Sequence, residues 1–265
     1  MSSAPTSTPV ATRTVSAPSS SATQLPVATL PRVDLAGVNV PGCRSAHRPV
    51  VLLHGSFSTV GSNFSALAPA LVAGGRCVYG LNYGNAGIAA VTSSAGQAAT
   101  LVRSVLSATG ATAVDVIAYS QGGLVLRTAL RFDGLADQVA TAVLIAPSWH
   151  GTTSAAAASA PARLCPACAD QVAGSALLQR LSVDGELDGK VRYAEVSTRR
   201  DTVVLPVASQ IPAGPSDRVR SVVLEDVCPQ VVTDHVHLPA VPGVVAWSVA
   251  ALDSDGRPAP SALTC

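Results

Sequence analysis

Asp115-Val-Ile-Ala-Tyr-Ser120-Gln-Gly-Gly123 is an apolar run that leads directly into a serine and two glycines. The pattern predicts a buried strand, a sharp turn at Ser120 and then a helix, which is the shape of a nucleophile elbow. Strand and helix come close together at such a turn, so small residues must flank the serine, and Ala118 and Gly122 take those two positions. The turn also directs the Ser120 hydroxyl towards the positive end of the helix. The simpler interpretation is a strand-to-helix turn with a capping serine.

Apolar runs and helical periods alternate on both sides of this stretch. Short β-branched runs predict strands at 50–53, 77–81, 114–118, 139–145, 191–196 and 222–226. Helical spacing predicts helices at 63–73, 95–108, 122–131, 175–181 and 241–252. Such alternation is typical of an α/β fold with a mostly parallel sheet and helices on both faces. Ligands bind beyond the carboxyl ends of the strands in that architecture.

His54-Gly55-Ser56-Phe57 follows the first predicted strand, upstream of the Ser120 turn. In a fold of this kind, the N–H after such a His-Gly pair and the N–H after the nucleophile together form an oxyanion hole. We therefore expect backbone donors at Ser56 and Gln121, and the Ser56 hydroxyl could add a third hydrogen bond. The candidates for lining an acyl pocket are Phe57, Tyr119 and Trp149.

A serine hydroxyl needs a base to remove its proton, and that base needs a carboxylate to fix its tautomer. The expected chain order is serine, acid, histidine. We favour His235 as the base because it lies in the loop between the last strand and the final helix, and His237 is the alternative. Neither a cysteine-rich nor an H-E-x-x-H context supports a metal site at these histidines. His54 and His150 are expected to have structural roles.

Asp201 is our candidate for the acid. It follows the strand predicted at 191–196 in a polar turn, and the Val-Val-Leu-Pro run after it could anchor the loop. Asp217 and Asp226 are the alternatives. The alternative interpretation, without a catalytic role, is that Asp201 only pairs with a neighbouring arginine on the surface, an interaction worth about 0–1 kcal/mol.

Composition limits the classes of protein to consider. Hydrophobic residues make up 48% of the 265 positions, charged residues 12%, and the formal net charge is +1. We expect one catalytic domain over residues 31–265 that carries a possible small cap at 149–170, preceded by a flexible Ser/Thr/Ala/Pro-rich segment at 1–30. No apolar run is long enough to span a membrane, and no arginine cluster indicates nucleic acid. Lys190 is the single lysine and does not follow a phosphate-binding loop, which disfavours nucleotide and pyridoxal chemistry.

The even number of cysteines favours disulfides in an oxidising compartment, although the sequence alone leaves their pairing open. We favour the pairs Cys43 with Cys77, Cys165 with Cys168, and Cys228 with Cys265. A zinc site would need two close pairs, and only Cys165 and Cys168 are close. These cysteines underlie the hypothesis that a signal sequence has been removed and that the protein is secreted.

Five blocks of sequence, which occur in family order, resemble the secreted bacterial class 2 lipases and, more distantly, the yeast lipase B type. The blocks are Val50-Val-Leu-Leu-His-Gly-Ser-Phe57, Cys77-Val-Tyr-Gly-Leu-Asn-Tyr-Gly84, Tyr119-Ser-Gln-Gly-Gly123, Ala146-Pro-Ser-Trp-His-Gly-Thr152, and Cys165-Pro-Ala-Cys168 with Gly174-Ser-Ala-Leu177. The commoner elbow of that family reads Gly-His-Ser-Gln-Gly. This chain has Ala118 and Tyr119 there, and alanine still fits a tight turn.

The resemblance implies the α/β-hydrolase fold and an extracellular, cofactor-free carboxylic-ester hydrolase that acts on lipophilic esters such as acylglycerols. It also implies Ser120, Asp201 and His235 as the triad, and it supports the first and third disulfide pairs. A polyester depolymerase with the same triad and a catalytically silent binding protein are the alternatives. We expect a monomer that neither binds nucleic acid nor enters the membrane as an integral protein.

Overall fold

The computed structural model describes Met1, residues 33–155, Ser159 and residues 161–265. Strands in this part of the chain form one parallel sheet in the order β2-β1-β3-β4-β5-β6. They are β1 (Val50–Leu53), β2 (Val78–Gly80), β3 (Val114–Tyr119), β4 (Val139–Ile145), β5 (Arg192–Ser197) and β6 (Val219–Val223). The parallel α/β sheet expected from the sequence is therefore confirmed. The N-terminal segment expected to be flexible lies, apart from Met1, outside the described residues.

Helices flank the sheet on both faces. They are α1 (Val60–Asn63), α2 (Leu67–Ala73), α3 (Gly84–Gly87), α4 (Val91–Thr109), α5 (Gln121–Phe132), α6 (Pro166–Asp170), α7 (Ala176–Leu181), α8 (Leu224–Val227) and α9 (Pro242–Asp253). Among the described residues, no helix combines the length and apolar character that crossing a membrane requires. The helix expected at 63–73 is shorter than expected, because α2 begins only at Leu67, and the separate short helix α1, which was not expected, ends at Asn63.

Burial on both faces explains why the strands read as continuous apolar runs. Val50 and Leu52 of β1 pack in the same cluster as α2 and α9. Val51 and Leu53 point the other way, into the cluster that contains α4 and α5. All four side chains are buried, so neither face of the strand offers a place for a polar residue.

The strand expected at 222–226 is wrong in its position. β6 runs from Val219 to Val223, and the chain then turns into the short helix α8. β6 is the edge strand of the sheet and pairs with β5 alone. Its residues Arg220 and Ser221 are exposed, so the first half of the strand lacks an apolar signal. The apolar signal begins only at the valines that end β6, which shifts the predicted strand towards the C-terminus.

Three disulfides join the cysteines in the pairs expected, and no cysteine is free. Cys43–Cys77 ties the segment before β1 to the start of β2. Cys228–Cys265 ties the loop after α8 to the C-terminal residue. Cys165–Cys168 closes a single turn at α6. The two long links join segments that are far apart in the sequence, whereas the short link acts locally.

Candidate active site

Ser120 sits at the carboxyl end of β3, where the chain turns into α5. Its backbone has φ 54° and ψ −123°, in the positive-φ region that L residues rarely occupy. The Ser120 N–H donates to the Ile145 carbonyl at 2.9 Å, and its carbonyl accepts from the Gly123 N–H at 3.0 Å. A Cβ at Gly122 would lie 2.3 Å from the Leu53 carbonyl oxygen, so the helix can approach β1 only with glycine there. The local sequence therefore forms the sharp turn that the motif predicts.

His235 lies against Ser120 and Asp201. Its Nε2 is 2.9 Å from the Ser120 Oγ, and its Nδ1 is 2.6 Å from the Asp201 Oδ2. Because a carboxylate only accepts, Nδ1 carries the proton, which leaves Nε2 free to accept the serine proton. All three side chains are buried, with residue exposures of 6%, 4% and 3% for the serine, histidine and aspartate. The three candidates chosen from the sequence are thus brought together.

The loop after β5 presents the Asp201 carboxylate. Its Oδ1 accepts from the backbone N–H groups of Val203 and Val204, each at 2.8 Å. Its Oδ2 accepts from the Gln210 side-chain amide at 3.0 Å in addition to His235. These donors fix both oxygens, so the carboxylate cannot rotate away from the imidazole. Gln210 was not among the sequence candidates, because a single glutamine belongs to no motif.

Tyr119 anchors the histidine loop. Its hydroxyl donates to the His235 carbonyl at 2.9 Å, and the two rings lie 5.2 Å apart at a tilt of 35°. Burial, reinforced by the negative charges of Asp201 and Asp234, raises the pKa of the Tyr119 hydroxyl, so it stays protonated and can donate. The residue that replaces the usual elbow histidine therefore fixes the backbone of His235 as well as lining the cavity.

The loop after β1 faces the Ser120 turn. Neither the Ser56 N–H nor the Gln121 N–H donates to any group among the described residues, and Ser56 and Ser120 line the same cavity. Free N–H groups beside a nucleophile are what an oxyanion hole requires. The Gln121 side chain donates to the Gly87 carbonyl at 2.7 Å, which ties α5 to α3. The two backbone donors expected from the sequence are therefore unoccupied and beside the serine.

His54 holds this loop in shape and does not enter the cavity. Its Nδ1 donates to the Gly55 carbonyl at 2.7 Å, its Nε2 accepts from the Tyr83 N–H at 3.2 Å, and its ring stacks on that of Tyr83. Burial lowers the pKa of His54 to about 4, although the hydrogen bond to Gly55 opposes the shift. A neutral ring is what these two bonds need, because one nitrogen donates and the other accepts. The structure thus gives His54 the structural role that was expected.

The cavity above Ser120 has a volume of about 450 Å³ and a mostly apolar lining. Phe57 and Val236 stand at its mouth, with exposures of 69% and 66%. Phe57 and Tyr119 line it as expected. Trp149 does not line it, and that expectation needs correction. Its indole is fully buried in the core, where it packs edge-on against Tyr193 and beneath the Arg127 guanidinium.

The segment expected to form a cap borders the cavity where it is described. Thr152, Ser154 and Cys168 line the cavity, whereas residues 156–158 and 160 lie outside the described residues. The cap expected at 149–170 therefore stays a prediction.

Gln171 was missed by sequence reasoning. It directly follows α6 and lines the cavity, where its side-chain amide contacts the Ser56 hydroxyl at 3.0 Å. As with Gln210, an isolated glutamine gives no periodic or spacing signal that could have identified it.

The remaining candidates lie elsewhere. His237 is an exposed side chain that pairs with Asp234 at 2.7 Å. Asp226 pairs with Arg199 at 2.6 Å on the surface, so that arginine is not the partner of Asp201. In the ranges 33–155 and 161–265, no group of three or more His, Cys, Asp or Glu side chains could hold a metal ion.

His150 clamps two loops beside the site. Its Nε2 contacts the Glu186 carboxylate at 2.8 Å and its Nδ1 the Ser209 carbonyl at 3.0 Å. Burial alone would raise the pKa of Glu186, but the hydrogen bonds from His150 and from the Ala213 N–H, together with nearby positive charge, outweigh it and lower that pKa to about 2. The histidine therefore has the structural role expected for it. Glu186 lies in the loop that precedes β5, and Ser209 lies in the segment that follows β5.

The sequence profile of the class 2 lipases matches residues 47–214, which include Ser120, Asp201 and the loop after β1. The chain belongs to the class 2 lipase family. The match covers more than half of the chain, from three residues before β1 to the loop before β6. Comparison with curated protein sequences gives no significant match.

Solved structures of lipases share the fold of this class 2 lipase. Aspergillus fumigatus lipase B superposes with a TM-score of 0.74 at 23% identity, over 83% of this chain and 56% of that protein. The chain thus spans little more than half the length of that lipase. The mature lipase BlEst2 of Bacillus licheniformis gives a TM-score of 0.50 at 17% identity, over 61% and 74% of the two chains. One of the metagenome-derived lipolytic enzymes LipS and LipT gives 0.55 at 14% identity, over 81% and 99%. At these identities the likeness shows the α/β fold alone.

Proposed function

We propose that this protein is a serine carboxylic-ester hydrolase that cleaves lipophilic esters through an acyl-enzyme intermediate. The observation that carries the proposal is the buried chain of hydrogen bonds from Ser120 Oγ to His235 Nε2 and from His235 Nδ1 to Asp201 Oδ2. It lies at the floor of a mostly apolar cavity and beside two free backbone N–H groups. Nucleophile, base, orienting acid and oxyanion donors are the parts that acyl transfer needs.

Ser120 Oγ attacks the ester carbonyl carbon while His235 Nε2 takes the hydroxyl proton. The carbonyl oxygen becomes an oxyanion that accepts from the N–H groups of Ser56 and Gln121. When the tetrahedral intermediate collapses, the bond to the alcohol oxygen breaks and His235 gives that oxygen its proton. Ser120 keeps the acyl group. Water then attacks the acyl carbon, His235 takes a proton from the water, and the acid leaves as Ser120 Oγ regains the proton.

Asp201 stabilises the imidazolium that forms in both steps. Its carboxylate already accepts from Val203, Val204 and Gln210, so it faces the ring without having to reorganise. The environment is therefore prepared for the positive charge before the charge appears.

The lining of the cavity supports a lipophilic substrate. Phe57, Val203 and Val236 present apolar surface at and near its mouth, where a hydrocarbon chain would lose contact with water. Family membership supports the same substrate class. Three disulfides support an extracellular location, since such bonds persist in oxidising compartments.

A serine-reactive fluorophosphonate tests the proposal directly. We expect it to label the wild-type protein and to react at Ser120, because the phosphonyl oxygen occupies the place of the oxyanion. Ser120→Ala should abolish both labelling and the hydrolysis of p-nitrophenyl butyrate while the melting temperature changes little. His235→Ala should slow both reactions by about 10³-fold or more, because the hydroxyl then lacks its base.

His237→Ala is the matched control for the histidine, since its exposed ring pairs only with Asp234. It should keep the wild-type rate. Near-full hydrolysis by Ser120→Ala would overturn the proposed nucleophile. A folded wild-type protein that neither reacts with the phosphonate nor hydrolyses any ester would instead be a binding protein with a silent site.

A further inference from the structure

The Gln171 side chain lies behind the oxyanion donors. Gln171 is the residue directly after α6, and it is only 8% exposed. Its Nε2 lies 3.0 Å from the Ser56 Oγ and 3.1 Å from the Ala167 carbonyl oxygen. Its Oε1 lies 3.0 Å from the Ser148 Oγ. The amide therefore connects α6 with the loops that follow β1 and β4.

The polarity of these contacts determines the direction of the Ser56 hydroxyl. The Ala167 carbonyl can only accept, which fixes the NH₂ end of the amide towards Ala167 and Ser56. Gln171 thus donates to the Ser56 oxygen, and the Ser56 proton remains available for another acceptor. No acceptor for that proton is present among the described residues, and Ser56 lines the cavity beside Ser120. The free direction for the proton is the cavity.

We propose that Gln171 is a positioning residue that holds the Ser56 hydroxyl as the third donor to the oxyanion. The inference rests on the proposed esterase function and adds a residue to it. A hydroxyl that rotates freely spends most of its time with its proton pointing away from the oxyanion position. A hydroxyl that already accepts a hydrogen bond from Gln171 instead has its proton directed into the cavity before the reaction starts. Preorganised donors stabilise a developing charge most because they need no reorganisation during the reaction.

The test is a double-mutant cycle between Gln171 and Ser56, read as kcat and KM for p-nitrophenyl butyrate. Gln171→Met keeps the length of the side chain but removes both donors. We expect kcat to fall by about 10- to 100-fold with little change in KM, since the loss falls on the transition state. Ser56→Ala should lower kcat at least as much. In the Ser56→Ala protein, Gln171→Met should change kcat less than twofold, because no hydroxyl is left to position.

Gln171→Glu is a second variant in case the methionine disturbs packing. Its carboxylate accepts the Ser56 proton and so withdraws it from the cavity. The same loss of kcat is expected, and it too should disappear when Ser56 is alanine. Gln179→Met is the matched control, because Gln179 is an exposed glutamine on α7 whose side chain donates only to the Gly174 carbonyl. It should leave kcat unchanged.

Equal losses of kcat with and without the Ser56 hydroxyl would overturn the inference and leave Gln171 with a structural role only. A Ser56→Ala protein with the wild-type kcat would overturn it as well. Both results are distinct from failure of the proposed function, which is read from Ser120→Ala. If Ser120→Ala stays inactive while the cycle is additive, the esterase proposal stands and the role of Gln171 falls.

Discussion

Ser120 keeps a backbone conformation that costs a typical residue about 1–3 kcal/mol, and its neighbours explain how that conformation persists. The serine is the junction between β3 and α5, and the first turn of α5 presses against the end of β1. Gly122 permits that contact, since a side chain there would meet the Leu53 carbonyl. The strain at the nucleophile is thus balanced by close packing two residues later.

Gly122→Ala tests this balance. The added methyl group would lie 2.3 Å from the Leu53 carbonyl oxygen, and that oxygen belongs to backbone that cannot swing away. We expect the free energy of unfolding to fall by about 1–3 kcal/mol and kcat to fall with it, because β1 or α5 must shift. Urea denaturation and ester hydrolysis give the two readouts.

Gly96→Ala is the matched control for the same substitution. Gly96 lies inside α4, and a Cβ there would meet nothing within 4 Å. Alanine should stabilise the helix by about 0.5–1 kcal/mol and leave kcat alone. A Gly122→Ala protein with unchanged stability and rate would show that the elbow does not depend on this close approach.

The triad was predictable because each member is a residue type that the chemistry demands at a place that the fold offers. Its supports were not predictable. Gln171 reaches Ser56 across 115 positions of sequence, and its amide could pair with almost any polar group. Trp149 shows the opposite case. It was expected to line the cavity, but its side chain points into the core, where Arg127 and Tyr193 enclose it. Side-chain direction within a loop is set by tertiary contacts that a sequence pattern does not contain.

At the scale of elements, the accuracy of a predicted strand follows its burial. β1 and β4 have the bounds expected, because strands covered on both faces read as unbroken apolar runs. β6 was misplaced because an edge strand with exposed Arg220 and Ser221 carries little of that signal. The helix α1 escaped detection since a helix of four residues has no periodicity to recognise.

The buried strand β5 contains an acidic residue, Glu195, which would be strongly destabilising there in its charged form. Glu195 is fully buried, and burial raises its pKa to about 8, although the hydroxyls of Ser197 and Ser221 oppose the rise. The unfolded chain releases this proton near the ordinary value of 4.5. Between the two values, folding requires proton uptake. The contribution of Glu195 to the free energy of unfolding should therefore fall as the pH rises from about 4.5 to about 8 and then level off.

Glu195→Gln removes that dependence without changing the size of the side chain. Near pH 4 the carboxyl is protonated in both the folded and the unfolded protein, so the variant should have the same unfolding free energy as the wild type. At pH 9 its unfolding free energy should be higher by about 2–4 kcal/mol. Guanidinium denaturation from pH 4 to 9 gives the difference.

Glu225→Gln provides a control of opposite sign. Partial burial would raise the pKa of Glu225, but donors from Thr198 and Arg199 outweigh it and lower the pKa. That variant should lose stability relative to the wild type above pH 4.5, and the loss should shrink as the pH falls below 4.5 through the lowered pKa of the folded state. A Glu195→Gln protein that parallels the wild type across the whole range would show that this carboxyl does not change its proton on folding.

On the scale of the whole molecule, two of the disulfides have different roles: one contributes mainly to stability and the other supports the active site. Cys43–Cys77 closes 34 residues and lies at the amino edge of the sheet, where β2 begins. Cys165–Cys168 closes 3 residues and lies at the cavity, where Cys168 is part of the lining and α6 leads into Gln171. Chain entropy favours the long link as a source of stability, whereas position favours the short link as a support of catalysis.

Replacing the cysteines of these two disulfides by alanine, one pair at a time, should separate the effect on stability from the effect on catalysis. Loss of Cys43–Cys77 should lower the unfolding free energy by about 4 kcal/mol and leave kcat of the remaining folded protein unchanged, because the carboxyl edge of the sheet is untouched. Loss of Cys165–Cys168 should cost only about 2 kcal/mol, since a short loop has little entropy to restrict. It should nevertheless lower kcat, because the turn that fixes Gln171 is loosened. Urea denaturation and ester hydrolysis on both variants decide the matter, and the reverse ranking in either measurement would refute this division.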